Sequence, residues 1–284
     1  MKKILILVYR CMIPLLKGTG IGSLYPINLL LNHLKSDVSV VYNHKMFLDV
    51  SDTLGLSLNG SYEKFETELV KKEVQRGDVV LDIGANIGYY TLIFAKLVGE
   101  KGKVYAFEPD PTNFKLLKKN VLINGYKNVI FVQKAVSQKN GIVKLYLCDD
   151  NKGDHRIYDS GDDRDFLEIE SIKLDDYFCG KNRKINFIKM DIQGAEGLAL
   201  QGMTDILKRN DELKIISEFW PIGLKRAGTT PSSFLKLLLD HGFKLNELNE
   251  KNKMIIQITR QELLEKYKVS EESYTNLLCT RESR

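Results

Sequence analysis

Short runs of β-branched residues alternate with longer amphipathic stretches through most of the chain from Val79 onward. This alternation predicts strands at Val79–Ile83, Lys103–Phe107 and Val129–Val136, and helices at Tyr89–Val98 and Thr112–Ile123. Strands separated by helices of this length pair in parallel, because each connection must travel back along the sheet before the next strand begins. The sequence therefore predicts an α/β fold with a doubly wound, mostly parallel sheet.

The middle of the chain interrupts this alternation. Ile142–Leu147 and Leu167–Leu174 have the pattern of exposed antiparallel strands, and Asp149–Asp165 between them is dense in Asp, Gly and Asn. We interpret this segment as an inserted hairpin and loop over the sheet edge. The alternation then returns, with strands predicted at Ile185–Ile192 and Lys214–Phe219, helices at Ala195–Lys208 and Pro231–His241, and a closing hairpin at Phe243–Leu248 and Met254–Thr259.

The length of 284 residues suits one large domain with additions. We divide the chain into an N-terminal cap segment (1–60), a domain that holds the sheet (61–260) and a polar C-terminal tail (261–284), which is predicted to be a helix followed by a loose end. Within the cap, Ile4–Val8 is predicted to be a buried strand or an interfacial element. No apolar run reaches the roughly 18 residues of a membrane span, so we expect no transmembrane segment. Ile13–Leu16 and Ile27–Leu34 leave peripheral contact with a membrane or a partner open.

Charge and cysteine content exclude several classes of protein. The formal net charge of +5 is spread over short basic groups, so we expect no nucleic-acid partner. The four cysteines, Cys11, Cys148, Cys179 and Cys279, form no C-x-x-C pair, which predicts neither a zinc site nor a redox motif and favours the reducing cytoplasm. The chain also lacks the G-x-S-x-G, H-E-x-x-H and G-x-x-x-x-G-K-[ST] motifs of hydrolases, zinc proteases and P-loop proteins.

The sharpest local motif lies where the first predicted strand turns into a helix. Gly84 and Gly88 allow a tight turn there, and the free N–H groups of the following helix point towards a ligand. Glu108 follows Gly84 by 24 residues, a spacing at which a carboxylate can accept the hydroxyls of a ribose. Asn86 replaces the second glycine of the dinucleotide motif, which disfavours NAD, and Asp82 suits a ligand that carries an amino group. The pattern therefore predicts that the ligand of this turn is a nucleoside that carries an amino acid.

These residues resemble a known cofactor site. Asp82–Gly88 together with Phe107–Pro109 resembles class I S-adenosylmethionine-dependent methyltransferases, whose fold is a Rossmann-like, mostly parallel sheet of seven strands. Gly60–Glu63, Asn120–Gly125, Lys134–Ser137 and above all Ile188–Glu196 narrow the resemblance to the FkbM family, over residues 45 to 260. The resemblance implies a methyltransferase domain at 61–260 that uses S-adenosylmethionine, mostly for O-methylation of sugars and other small hydroxyl-bearing molecules. Gln193 departs from the glutamate that many members carry, which puts a charge role there in doubt.

The resemblance also implies roles for individual residues. Glu108 would hold the ribose, the turn would shape the floor under the methionine, and Asp82 would contact its ammonium directly or through water. Pro109 and Asp110 would border the adenine, with Gln133 as a polar contact. The predicted cofactor-binding residues are Glu63, Asp82, Gly84, Ala85, Asn86, Gly88, Glu108, Pro109, Gln133, Ala135 and Asp191.

Ligands of such a sheet gather beyond the carboxyl ends of its strands, where Asp191 and Glu218 are predicted to lie. A hydroxyl acceptor must lose a proton during methyl transfer, so Asp191, Glu218 and His155 in the insertion are the candidate catalytic residues. Helix capping or simple exposure is the alternative for each of them. Asp191 and Glu218 could instead hold Mg²⁺, although we expect no metal. Glu196 is interpreted as a first-turn cap, and Arg156 either binds an acidic group of the substrate or is solvated.

We therefore expect an S-adenosylmethionine-dependent O-methyltransferase with a small-molecule or glycan acceptor. An RNA or protein methyltransferase is one alternative, but Met190–Gln193 stands where nitrogen-methylating families carry an N-P-P-[YF] motif. The second alternative is a non-catalytic module that only binds the cofactor.

Overall fold

Five parallel strands form the centre of the main sheet. The computed structural model describes residues 38–49, 52–181 and 183–281. The sheet strands are β3 (Val79–Ile83), β4 (Lys103–Phe107), β5 (Val129–Val132), β9 (Phe187–Met190), β10 (Lys214–Phe219), β11 (Lys244–Asn249), β12 (Met254–Gln257) and β13 (Thr275–Thr280). Their order is β12-β11-β13-β10-β9-β3-β4-β5, with β10 through β5 parallel and β13 antiparallel to both of its neighbours. The predicted mostly parallel α/β fold is confirmed.

Helices cover both faces of this sheet. They are α1 (Leu56–Asn59), α2 (Lys64–Glu73), α3 (Tyr89–Val98), α4 (Pro111–Ile123), α5 (Leu174–Tyr177), α6 (Glu196–Gln201), α7 (Thr204–Arg209), α8 (Pro221–Arg226), α9 (Pro231–Asp240) and α10 (Arg260–Lys266). The apolar sides of α2, α3 and α4 belong to one buried cluster, and those of α6, α7, α9 and α10 belong to another. Because successive side chains of a strand point to opposite faces, Leu81 joins one cluster and Val80 the other. The sheet is thus doubly wound.

Local signals explain where several helices begin. The Asp110 carboxylate accepts the backbone N–H of Asn113 at 2.7 Å and caps α4. Thr230 and Ser233 form a reciprocal capping box at the start of α9, with Pro231 at its first position.

The insertion forms a second sheet of three strands, in the order β6 (Ala135–Val136), β8 (Phe166–Ile172) and β7 (Gly141–Tyr146). The predicted hairpin is confirmed, since β7 and β8 pair antiparallel. The single strand predicted at 129–136 is wrong, because β5 ends at Val132 and β6 leaves to pair with β8. The single helix predicted at 195–208 is wrong as well. It breaks at Gly202, which packs so closely on the Ser137 carbonyl that a Cβ atom would lie 2.1 Å from that oxygen.

The C-terminal tail contains the largest departure from the predicted fold. The closing hairpin of β11 and β12 is confirmed, but β13 inserts between β10 and β11. The loose end predicted after the tail helix is therefore wrong for residues 275–280, and the sheet has eight strands rather than seven. Leu277 and Cys279 of β13 are fully buried, because they belong to the apolar core under α9 and α10.

A two-stranded hairpin, β1 (Val38–Val41) and β2 (His44–Phe47), precedes the main sheet. The side chain of Asn120 on α4 holds it, because its amide accepts the N–H of Phe47 at 2.6 Å and donates to the Phe47 carbonyl at 2.9 Å. The predicted element at 4–8, the apolar segments at 13–16 and 27–34, and Cys11 lie outside the described residues. Within the described residues, no helix is long and apolar enough to cross a bilayer.

Candidate functional site

A cavity of about 310 Å³ lies beyond the carboxyl ends of β3, β4 and β9. This volume is at the lower end of the range typical of small-molecule sites. Its walls come from the turn after β3, from the end of β4, from the end of β9 and from the loop of the insertion. The sheet and the insertion therefore enclose the site together.

The glycine turn forms the wall next to β3. Gly84 has a φ of +83°, and a Cβ atom there would lie 2.0 Å from the backbone oxygen of Asp191. The N–H groups of Gly84 and Ala85 both donate to the Phe107 carbonyl, at 3.0 and 2.9 Å. Gly88 has a φ of +96° and stands immediately before α3. The predicted turn residues Gly84, Ala85 and Asn86 all line the cavity, whereas Gly88 starts the helix behind them.

Glu108 stands at the end of β4 with both carboxylate oxygens held by backbone groups. Its Oε2 accepts the N–H of Asn86 at 2.8 Å, and its Oε1 accepts the N–H of Asp110 at 2.9 Å. Burial raises the pKa of Glu108 to about 8. The side chain lines the cavity, and the turn and the next loop fix its orientation.

Asp82 lies on β3, which pairs with β4, the strand that ends beside Glu108. Asp82 also lines the cavity. Its carboxylate accepts the hydroxyl of Thr91 on α3, so the side chain is tied to the helix that follows the turn. Burial raises the pKa of Asp82 to about 6, and the carboxyl therefore remains largely ionised at neutral pH.

Only some of the residues predicted to contact the adenine line the cavity. Pro109 and Ala135 line the cavity. Gln133 is exposed and does not line it, because the chain turns away after β5 and brings Lys134 to the wall instead. Asp110 does not line it either, since its carboxylate caps α4. The roles predicted for Gln133 and Asp110 are therefore not supported by their positions.

Glu63 lies behind the cavity wall rather than on it. Its carboxylate accepts hydrogen bonds from the hydroxyl of Tyr90 at 3.0 Å and from the amide of Asn276 at 3.2 Å. Burial and the nearby Glu66 raise the pKa of Glu63 to about 8. The structure thus places Glu63 among buried polar side chains next to the predicted cofactor residues.

Lys189, which the sequence analysis missed, is the buried base at the centre of this polar cluster. It lies on β9 and lines the cavity, with 2% exposure. Its Nζ lies 3.0 Å from a carboxylate oxygen of Glu66 and 3.8 Å from one of Asp191. Burial alone lowers the pKa of Lys189, but the carboxylates of Glu66, Glu63 and Asp191 raise it well above its ordinary value. A charged residue inside the apolar strand Phe187–Met190 was the signal that could have revealed it.

Asp191 follows β9 and lines the cavity with 26% of its side chain exposed. Its Oδ1 accepts the side-chain amide of Gln193 at 2.9 Å. Glu218 on β10 does not line the cavity, but one of its oxygens lies within 4.8 Å of one oxygen each of Asp191 and Glu196. Burial raises the pKa of Glu218 well above its ordinary value.

Glu196 begins α6, as the sequence analysis expected of a first-turn acid. Its Oε1 accepts the N–H of Ile192 at 2.8 Å, so it stabilises the turn between β9 and the helix. Burial raises the pKa of Glu196 to about 7.

His155 lines the cavity from the insertion. Its Nδ1 accepts the N–H of Cys148 at 3.0 Å, which places the ring proton on Nε2 when the imidazole is neutral. Burial lowers the pKa of His155 below its ordinary value. Arg156 is buried and makes two hydrogen bonds to Asp154, both 2.9 Å long, so it is neither solvated nor free to bind a substrate acid.

The sequence of the chain is similar to those of known methyltransferases. The chain is 29% identical to hexuronic acid methyltransferase AglP of Haloferax volcanii over 172 residues, which are 60% of this chain and 65% of that protein. It is 37% identical to 31-O-demethyl-FK506 methyltransferase FkbM of Streptomyces tacrolimicus over 78 residues, 28% of this chain and 29% of that protein. The chain thus matches less than two thirds of the length of either relative. A crystal structure of a SAM-dependent methyltransferase from Aquifex aeolicus aligns with 81% of this chain and 94% of its own, at a TM-score of 0.42 and 18% identity.

A sequence model of the methyltransferase FkbM domain matches residues 82–245, which are more than half of the chain. The match begins at Asp82 beside the glycine turn and includes Glu108, Lys189, Asp191 and Glu218. The chain therefore belongs to the FkbM family of S-adenosylmethionine-dependent methyltransferases.

Proposed function

We propose that the protein transfers the methyl group of S-adenosylmethionine to a hydroxyl oxygen of a sugar, a glycan or another small metabolite. The observation that carries this proposal is the anchored carboxyl group of Glu108. It lines the cavity beside the glycine turn, and two backbone N–H groups hold it in one orientation. A carboxyl group fixed at this point of a parallel sheet suits the two hydroxyls of a ribose.

The rest of the cofactor follows from that anchor. The methionine part would lie over the turn at Gly84, with its ammonium group near Asp82, directly or through water. Attraction by Asp82 is supported by its burial and by a pKa of about 6, which leaves a negative charge at neutral pH. Pro109 and Ala135 would contact the adenine, because both line the cavity on the side of Glu108.

The acceptor would enter beside Asp191. Methyl transfer from a sulfonium is an in-line displacement, so the protein must chiefly align the acceptor oxygen with the methyl carbon. The carboxylate of Asp191 would accept the hydroxyl proton, and its partial exposure and its hydrogen bond from the Gln193 amide support this role. The neutral Nε2–H of His155 is left to donate a hydrogen bond to the acceptor.

The acceptor class rests on the relatives. One is named a hexuronic acid methyltransferase and the other a methyltransferase of position 31-O of FK506, so both names point to small hydroxyl-bearing acceptors. We place the reaction in the cytoplasm, since the described cysteines Cys148, Cys179 and Cys279 are free thiols. We expect the protein to have no nucleic-acid partner.

Calorimetric titration with S-adenosylhomocysteine tests the cofactor site. The wild type is expected to bind it, and Glu108→Ala is expected to bind about tenfold more weakly or worse, because the ribose loses its acceptor. Glu168→Ala, which removes an exposed carboxylate of β8, is the matched control and should leave the affinity unchanged. Equal affinity in Glu108→Ala would contradict the ribose assignment.

Turnover is tested with a panel of sugars and uronic acids and labelled S-adenosylmethionine, with products identified by mass spectrometry. Asp191→Asn should keep the cofactor affinity but reduce turnover by about 10²-fold or more, because a general base contributes that much. Cofactor binding without turnover on any acceptor would favour a non-catalytic binding module.

A further inference from the structure

Three carboxylates converge at the ends of β9 and β10. Asp191 follows β9, Glu196 begins α6, and Glu218 stands one residue before the end of β10. One oxygen of each lies within 4.8 Å of one oxygen of the other two. Oxygens on opposite sides of a bound Mg²⁺ are about 4 Å apart, since each Mg–O distance is 2.0–2.1 Å. Small side-chain movements would therefore give all three carboxylates one common ligand.

Two of these carboxylates have a buried oxygen without a hydrogen-bond donor. Glu196 has no exposed surface, and while its Oε1 accepts the N–H of Ile192, its Oε2 accepts no hydrogen bond from the residues that the structure describes. The Oε2 of Glu218 is buried and lacks a donor in the same part of the chain. A buried acceptor without a partner costs about 1–3 kcal/mol, and more when it is charged. Such a pair of oxygens points to a ligand that supplies positive charge.

No Lys or Arg in the described ranges donates a hydrogen bond to either of these two oxygens. Lys189 is the nearby base, but its Nζ lies closest to Glu66, at 3.0 Å, and reaches Asp191 only at 3.8 Å. Among residues 38–49, 52–181 and 183–281, no Lys or Arg forms an ion pair with Glu196 or Glu218. Carboxylates this close repel one another unless a cation or a proton lies between them.

We propose that Asp191, Glu196 and Glu218 bind one divalent cation that prefers oxygen ligands, Mg²⁺ or Mn²⁺. The sequence analysis left Mg²⁺ at Asp191 and Glu218 open without expecting it, and interpreted Glu196 as a first-turn cap. With Glu196 as a third ligand, the site offers three protein oxygens to the cation. The remaining coordination positions of the cation are open to water or to a ligand oxygen. Asp191 also lines the cavity, so a cation here would lower the pKa of an acceptor hydroxyl bound to it. That last consequence rests on the proposed function, whereas cation binding itself does not.

Electron paramagnetic resonance of Mn²⁺ tests the site on the full chain, after treatment with EDTA and without cofactor or acceptor. We expect one Mn²⁺ to bind per chain and Mg²⁺ to displace it. Glu218→Gln should weaken Mn²⁺ binding at least about tenfold, because it removes one charged ligand. Glu212→Gln is the matched control, since Glu212 is an exposed acid paired with Lys184, and it should change the affinity less than about twofold.

Thermal melting of the same proteins shows that they fold and gives a second readout. Mg²⁺ should raise the melting temperature of the wild type and of Glu212→Gln, because a ligand that binds only the folded state stabilises it. At the same Mg²⁺ concentration it should raise the melting temperature of Glu218→Gln less, because the weakened site is less occupied. Folded wild-type protein that binds no Mn²⁺ at millimolar concentration, or Glu218→Gln with wild-type Mn²⁺ affinity, overturns the proposal. Because no cofactor is present, either result leaves the proposed methyl transfer standing.

Discussion

Replacing Gly84 by alanine tests the link between the turn and the site. An alanine there must adopt a φ of +83°, which costs roughly 1–2 kcal/mol for a residue with a side chain. Its Cβ would also lie 2.0 Å from the Asp191 backbone oxygen, about 1 Å closer than such atoms approach. The ends of β3 and β9 must separate to relieve this overlap, and overpacking of this kind costs about 1–3 kcal/mol more. We therefore expect Gly84→Ala to lose about 2–5 kcal/mol of unfolding free energy.

The variant Gly125→Ala separates the free-energy cost of backbone strain from the cost of steric overlap. Gly125 has a φ of +75°, but a Cβ there meets nothing within 4 Å, so only the strain of about 1–2 kcal/mol remains. Urea denaturation measures both free energies, and calorimetry with S-adenosylhomocysteine measures the site. Gly84→Ala should bind at least about tenfold more weakly, because the turn moves relative to Asp191, while Gly125→Ala should bind like the wild type. Equal stability and equal affinity in the two variants would refute the argument that close packing of β3 on β9 shapes the cavity.

Two further substitutions test the buried charges. Lys189→Met should lower the unfolding free energy by about 3–5 kcal/mol, measured with urea, because Glu66 is left buried without its cation, and Glu66→Gln in the same chain should restore most of it. The folded-state pKa of Glu108, about 8, exceeds its ordinary value of 4.5, so the folded protein binds the proton more tightly and loses stability as the pH rises through this range. Between pH 6.5 and 8.5 the cofactor-free wild type should lose about 2 kcal/mol more than Glu108→Gln, and equal losses would show that the carboxyl is already ionised at pH 6.5.

The part of the site that the sequence predicted consists of local features. Gly84, Asp82 and Glu108 lie within one strand–turn–helix–strand unit, whose geometry follows from the order of its residues. A buried strand, a glycine at positive φ and an acid at the next strand end suffice to bring these side chains together. For this reason the structure places all three on the cavity wall.

The part that the sequence did not predict depends on contacts between distant segments. Lys189 and Glu66 are 123 positions apart, and only the folded sheet shows that a lysine in an apolar strand has a buried partner. Gln133 was misplaced because the chain leaves the main sheet after Val132, a change of direction that no local pattern marks. Glu196 was interpreted from its helix position alone, although one of its oxygens lies within 4.8 Å of an oxygen of Glu218 on the neighbouring strand β10.

The position of β13 has a consequence for how the protein is made. Ribosomes synthesise a chain from its N-terminus, and β13 is the last strand of the described chain, yet it lies between β10 and β11. At a synthesis rate of about 5–20 residues per second, β11 is complete a few seconds before β13, the strand that joins it to β10. During that time the hydrogen-bonding edges of both strands are open to other chains. Aggregation during production should therefore depend on how quickly residues 275–280 emerge, and slowing translation just before them should lower the yield of folded protein.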